Sequence, residues 1–209
     1  MRESWSRIDA WLRTHAPASF RVLAPPADPG TVEKAQMHMG LRFPSDLLDS
    51  LACHDGQTEW ANVFPEKPPV PVAEMVSFWQ TSVELAGDDP DLCEPQEDGG
   101  EPWWHPQWIP WAHSDCDAQI IDMREGPARG RIGSSQHDDS ASFHGGWPSL
   151  AAYLEEVADV LEHGGTVGPW APYLTSDGEL WWAFAGETTL NGSPLTPAPT
   201  SRKTQRTSS

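Results

Sequence analysis

Two sets of residues in this chain have the types and spacing to do chemistry. One is a run of carboxylates that ends on paired tryptophans, and the other is two short clusters of histidine with aspartate. The first run holds Asp88, Asp89, Asp91, Glu94, Glu97, Asp98 and Glu101, followed by Trp103 and Trp104. Carboxylates in such density can meet Lys and Arg on another protein, and a Trp beside them is a residue type that often anchors an interface. Glu94, Glu97, Asp98, Glu101, Trp103 and Trp104 are therefore the candidate partner-binding residues. The bland reading of the same run is a solvated loop that keeps an acidic protein soluble. The Trp pair favours the interface reading, because neighbours on a strand point to opposite faces and cannot both turn inward. Calcium also chooses clustered carboxylates, but the Asp-x-Asp-x-Asp-Gly spacing of a calcium loop is missing, so no metal site is expected.

The histidine clusters invite an enzyme reading. His113, Asp115, Cys116 and Asp117 form one, and His137, Asp138, Asp139 and His144 the other. A helical metal site needs His-x-x-x-His or Glu-x-x-His, and a hydrolase needs a nucleophile elbow or its equivalent; neither pattern is present. Turn chemistry accounts for both clusters, since Asp and Ser side chains close turns through their own hydrogen bonds. The expectation is a binding protein without catalytic residues and without a cofactor. Cys53, Cys93 and Cys116 leave an odd thiol however they pair and show no Cys-x-x-Cys spacing, so reduced thiols are expected.

Charge narrows the class further. The formal charge is −18 over 209 residues, which excludes a generic nucleic-acid binder, because phosphate contacts need clustered Lys and Arg. From Pro68 through Met123, and again from Ile132 through Ser201, the chain has no Lys or Arg at all. Such stretches promise a surface that repels nucleic acid and speeds encounter with basic proteins. No apolar run approaches membrane-spanning length, and Met1 to His15 interleaves Arg and Glu with Trp, so a cytoplasmic protein is expected. With 38% apolar residues and 12 Trp, one domain with a closed core is the expected organisation.

The elements that must position these residues follow from periodicity. Trp5, Ile8, Trp11 and Leu12 fall at helical spacing over Arg2 to His15. A second helix is expected from an Asp28 cap and Pro29 to Gly40, a third over Pro44 to Cys53 and a fourth from about Val72 to Leu85. Trp108 to Ala112, Gln119 to Met123 and Gly130 to Ser134 read as three antiparallel strands. Leu150, Tyr153, Leu154, Val157 and Leu161 mark a closing helix that stops at Gly164. Asp177-Gly178 between apolar runs signals a hairpin over Tyr173 to Phe184, adding to the sheet or covering its edge. Trp5, Trp11, Trp79, Trp147 and Trp181 sit at core-facing positions, whereas Trp60, Trp170 and Trp182 lie in or near loops and could stack on a ligand.

The order of these signatures resembles one family. Leu41-Arg42-Phe43-Pro44-Ser45-Asp46-Leu47-Leu48 followed by His54-Asp55-Gly56 is similar to the Leu-Pro-x-x-Leu helix and Asn/Asp-Gly turn of the SUKH superfamily, the relatives of the fungal Smi/Knr cell-wall synthesis regulator. Trp108-Ile109-Pro110-Trp111, Ile120-Ile121-Asp122, the His137-Asp138 pair, Trp147-Pro148-Ser149-Leu150 and Asp177-Gly178-Glu179-Leu180-Trp181 continue the likeness to about residue 185. Ser114-Asp115-Cys116-Asp117 departs from it, standing where relatives carry a Gly-rich turn. The resemblance implies an α+β fold, with helices packed on one face of a mainly antiparallel sheet. With it, the composition divides the chain into a domain over 1–186, whose Asp, Glu, Pro and Gly density over 87–102 reads as an acidic loop insertion, and a disordered basic tail over 187–209, where Ser, Thr and Pro dominate beside Arg202, Lys203 and Arg206. The resemblance also implies binding without catalysis: an immunity protein that neutralises a polymorphic toxin, the partner then being a basic toxin domain, or alternatively a regulatory scaffold of cell-wall synthesis or signalling.

Overall fold

A computed structural model describes residues 1–88 and 100–200. The first helix, α1 (Arg2–His15), buries Trp5, Ile8, Trp11 and Leu12, the stripe that the periodicity marks. Ala16 separates it from α2 (Pro17–Arg21), a short turn of helix opened by a proline that the apolar spacing does not signal. In α3 (Pro29–Met39) the carboxylate of Asp28 accepts from Thr31 N at 2.8 Å and Gly40 closes the helix at φ 65°, the expected capping at both ends. The next two are α4 (Ser45–Leu51) and α5 (Val72–Asp88).

Strands β1 (Trp108–Ser114), β2 (Asp117–Asp122) and β3 (Ile132–Ser135) form an antiparallel sheet in that order. Its strands are buried almost throughout instead of alternating, because the sheet is covered on both sides. Ile109, Trp111, Ile121 and Ile132 join the main core with α1, α3, α4 and the closing helix α6 (Leu150–His163). Trp108, Ala118 and Ile120 join a second, smaller core with Ala86 and Trp104, against which Phe78 and Val83 of α5 also pack. The α+β class stands, and α5 adds a cover on the other face. On α6, Leu150, Tyr153, Leu154, Val157 and Leu161 are at most 1% exposed, each worth about 1.5–3 kcal/mol on burial.

The Asp177-Gly178 hairpin forms as expected, with β4 (Trp170–Leu174) and β5 (Leu180–Phe184) in register from Trp170↔Phe184 to Leu174↔Leu180. It does not extend the first sheet. It makes a second one, completed by β8 (Thr196–Pro197), after a small ribbon of β6 (Thr189–Leu190) and β7 (Ser193–Pro194). This corrects the disordered tail expected from residue 187. Leu195 is buried beside Tyr173 and Ala183, Ala198 N donates to Pro172 O, and the Trp11 indole donates to Pro199 O. Backbone pairing and one buried leucine order a segment whose Pro and Thr content reads as tail. Arg202, Lys203 and Arg206 lie outside the described residues. Among the described residues no helix is long and apolar enough to cross a membrane.

The join between the helical half and the first sheet is made at Asp55 and Gly56. Asp55 Oδ1 accepts from Val72 N at 2.8 Å, which caps the start of α5. Gly56 has φ 67°, and a Cβ there would stand 2.3 Å from the Val70 carbonyl carbon. The neighbouring chain, Pro68 to Val70, lies along the outer side of β1, with Val70 N donating to Trp111 O and His113 N to Pro68 O. Gly56→Ala combines a positive φ with a backbone overlap, so it is expected to destabilise the fold by about 3 kcal/mol or more. Urea denaturation of the two proteins checks it: a midpoint within error of wild type would show that this contact is not close.

Candidate functional site

Of the candidate partner-binding residues, Glu94, Glu97 and Asp98 lie outside the described residues. The rest are held by the fold. Glu101 accepts from Arg124 Nη1 at 2.7 Å and from Arg131 Nη2 at 2.9 Å. Both arginines also grip Asp122, whose side chain is 3% exposed, and the Arg131 guanidinium lies 3.8 Å over the Phe143 ring. Trp104 is 1% exposed in the second core, and Trp103 is half-buried, its indole donating to His137 O. Glu101 and Trp104 are thus committed inside the molecule. Counting cations only within Pro68 to Met123 hides this, because Lys67 and Arg124 flank that stretch and fold back over it. The strand argument about the Trp pair also lacks its premise: neither Trp sits in a strand.

The histidine clusters divide as turn chemistry suggests. Asp117 joins them, accepting from His137 N at 3.0 Å and from Lys67 Nζ at 3.2 Å, with the His137 ring nitrogen 2.9 Å away. Burial pushes the Asp117 carboxyl up, but the His137 and Lys67 hydrogen bonds outweigh it and hold it at about 2. Asp115 takes φ 55° in the β1–β2 turn, a conformation that Asp tolerates. Asp159, Glu162 and His163 stand close enough together to hold a metal ion. Arg7 donates to both of those carboxylates, so its guanidinium supplies the positive charge there.

The largest cleft lies elsewhere, where the Asp55-Gly56 turn, the proline segment and the β1–β2 turn converge. It encloses about 560 Å³ between Gln57, Glu59 and Trp60 on one side and Pro69, Glu74 and His113 on the other. Trp60 is 62% exposed, with its ring edge toward Trp181 at 6.0 Å. Of the three loop tryptophans it is the one at the surface; Trp182 is in the core, donating to Val63 O, and Trp170 is half-buried. Gln57 is 7% exposed, and its Oε1 accepts from Ala61 N. That bond fixes the amide orientation, and Nε2 is left buried without a partner. His113 Nε2 is likewise buried without a hydrogen bond, and its ring stacks on Phe78.

Burial holds His113 below its ordinary value, so at neutral pH the ring is uncharged and its 3.9 Å approach to Glu74 is not an ion pair. Glu59, Glu74 and Asp115 leave the rim negative, and no Lys or Arg lines it. The cleft therefore joins acidic rim, aromatic platform and two unmet polar groups. The sequence signal for it was present in Glu59-Trp60 after the Asp-Gly turn and in Pro68-Pro69-Val70-Pro71. Only the fold brings them together.

The model of the SMI1/KNR4 family (SUKH-1) matches residues 26–156, well over half of the chain. The chain belongs to that family. No curated relative matches it. The matched SUKH segment includes the Asp55-Gly56 turn, α5, the first sheet and the first half of α6, and every residue that lines the cleft. The second sheet lies beyond the match.

The ion-pair knots of this SUKH domain have a pH signature. Arg124 and Arg131 hold Glu101 low despite its burial, and burial of Asp122 is outweighed by the same two arginines, so its carboxyl is also low. A carboxyl lowered by folding stabilises the protein above its unfolded value and ceases to do so as pH falls through the folded one. The carboxylate contribution to stability should be level from about pH 7 to 5 and fall from about 4 down toward 2, where Asp117 titrates. Asp122→Asn should lower stability at pH 7 and flatten that acid limb. Urea midpoints measured across the pH range decide it; parallel profiles for the two proteins would count against the ion-pair account.

Proposed function

We propose that this SUKH-1 domain is a non-enzymatic, cytoplasmic binding protein that neutralises a basic protein partner, a polymorphic toxin domain, by seating it on the cleft around Trp60. The observation that carries the reading is the conjunction of an exposed tryptophan with an uncompensated acidic rim above the buried, unpartnered Gln57 Nε2. Interfaces concentrate their energy in such aromatic anchors, and negative rims steer cationic partners. The unmet Gln57 Nε2 offers the partner a buried hydrogen-bond donor to satisfy with an acceptor of its own, which favours a partner over solvent alone. The net charge of −18 adds long-range attraction for a basic surface.

In place of Glu101 and Trp104, which are occupied within the fold, Glu59, Trp60 and Glu74 become the interface residues. Glu94, Glu97 and Asp98 keep their place in the proposal as a further acidic contribution. A binding role also agrees with the cleft's chemistry. The Thr58 hydroxyl donates to Val22 O and His113 Nε2 bonds nothing, so these two are not set up as nucleophile and base.

The test is capture by the tagged full chain at low salt, followed by washes of rising salt. A basic toxin domain that is retained, inhibited and released as salt climbs supports the reading. Trp60→Ala should weaken that complex by about 2 kcal/mol, some 30-fold, and Glu59→Lys with Glu74→Lys should slow association most at low salt. Binding that ignores both salt and these substitutions would remove the cleft from the mechanism. Retention of cell-wall synthesis enzymes without inhibition of any toxin would support the scaffold function instead.

A further inference from the structure

A second, smaller cleft of about 130 Å³ lies between Glu66, Gln119 and the chain from Ser142 to Trp147, with Trp170 on its far side. It shares no lining residue with the Trp60 cleft. Its floor is Gln119, only 1% exposed. Gln119 Nε2 donates to Glu66 Oε2 at 3.2 Å. Because a carboxylate only accepts, that bond fixes which end of the amide is nitrogen. Gln119 Oε1 is then left buried without a partner.

Glu66 reaches this position from a backbone φ of 68°, where a residue with a side chain is strained. Its sequence neighbour Lys67 turns away to Asp117, and among the described residues no Lys or Arg lines the cleft. Two indoles, Trp147 and Trp170, wall it. Trp147 is fixed in place, its ring edge against Tyr153 and its indole donating to Glu156. The wall that carries Trp147 is held close to β3 because Gly146 has no side chain; a Cβ there would stand 2.0 Å from Ile132 O. The lining thus offers a carboxylate, an orphaned buried carbonyl oxygen and aromatic walls in a space the size of one cationic head group.

We infer that this cleft is a binding site for a single alkylguanidinium or alkylammonium group, held between Glu66, Gln119 Oε1 and the Trp147 and Trp170 rings. The group donates to both oxygens, which satisfies Gln119, and its charge meets Glu66 and the ring faces. A neutral ligand would leave Glu66 uncompensated, and an anion would be repelled by it. The source is either a Lys or Arg side chain of a protein or a free small amine; the recognising chemistry is the same.

The experiment is a titration of the full chain with methylguanidinium chloride, followed by NMR of the indole and glycine amide signals, with sodium chloride at equal concentration as control. Saturable shifts confined to Trp147, Trp170, Gly145 and Gly146 are expected. Glu66→Gln, which keeps the size and the hydrogen bond but not the charge, should weaken binding by about tenfold. His144→Arg places a guanidinium on an exposed lining residue and should suppress the shifts by occupying the cleft from within. Thermal unfolding of both variants at the wild-type midpoint excludes misfolding as the cause. Repeating the titration with acetyl-Gly-Arg-Gly-amide and with putrescine separates the sources, the tighter binder naming the class. No saturable shift, equal shifts in the Glu66→Gln protein, or shifts centred on Trp60 would overturn the assignment. Loss of binding at the Trp60 cleft leaves this result untouched, since the two sites are read by different signals.

Discussion

The contact on which the rest of this structure depends is the approach of Gly56 to the Val70–Pro71 peptide. It is a backbone-to-backbone contact, so no side-chain rotation can relieve it. From it follow the position of Asp55 over the first turn of α5, the line of Pro68 to Val70 beside β1, and the direction in which α5 leaves to cover the far face of the sheet. The Trp60 cleft is a by-product of the same geometry: the chain entering Gly56 and the chain leaving Pro71 diverge, and Gln57 and His113 are stranded between them.

A chain with so few cations must spend them with care. Arg124 and Arg131 come from one loop and neutralise both Asp122 at the end of β2 and Glu101 in the chain before β1, so four charges are gathered into one place. Such a buried network contributes less to net stability than its many hydrogen bonds suggest, since both arginines and Asp122 lose water. Its value lies in register. Removing one partner strands the other three, so the loop between β2 and β3 has one acceptable placement. Glu59, Glu74 and Asp115 are left exposed to solvent.

Much of the fold was legible in the sequence for identifiable reasons. Helix α1, both ends of α3 and the whole of α6 follow from apolar spacing and capping residues, and the β4–β5 hairpin follows from Asp177-Gly178. The site was less legible. Trp103 and Trp104 adjoin the acidic run in sequence, yet the fold takes Trp104 inward, because the second core under α5 is invisible to a pattern that assumes one buried face. The C-terminal strands escaped for a related reason: Pro and Thr composition reports what a segment can do alone, and β8 is ordered by β4, which composition does not see. Glu66 and Gln119 are 53 positions apart in sequence, and no local spacing could have joined them.

The treatment of the first sheet's edges bears on how this family can change partners. Prolines occupy two of the three positions along β1, and Ser142 bridges to β3, so neither side lends a continuous ladder to a visiting strand. At this sheet, recognition by main-chain addition, which commits a protein to one mode of binding, is closed off. What remains is recognition by side chains projecting from turns. Those can be exchanged one at a time while the scaffold beneath them stays fixed.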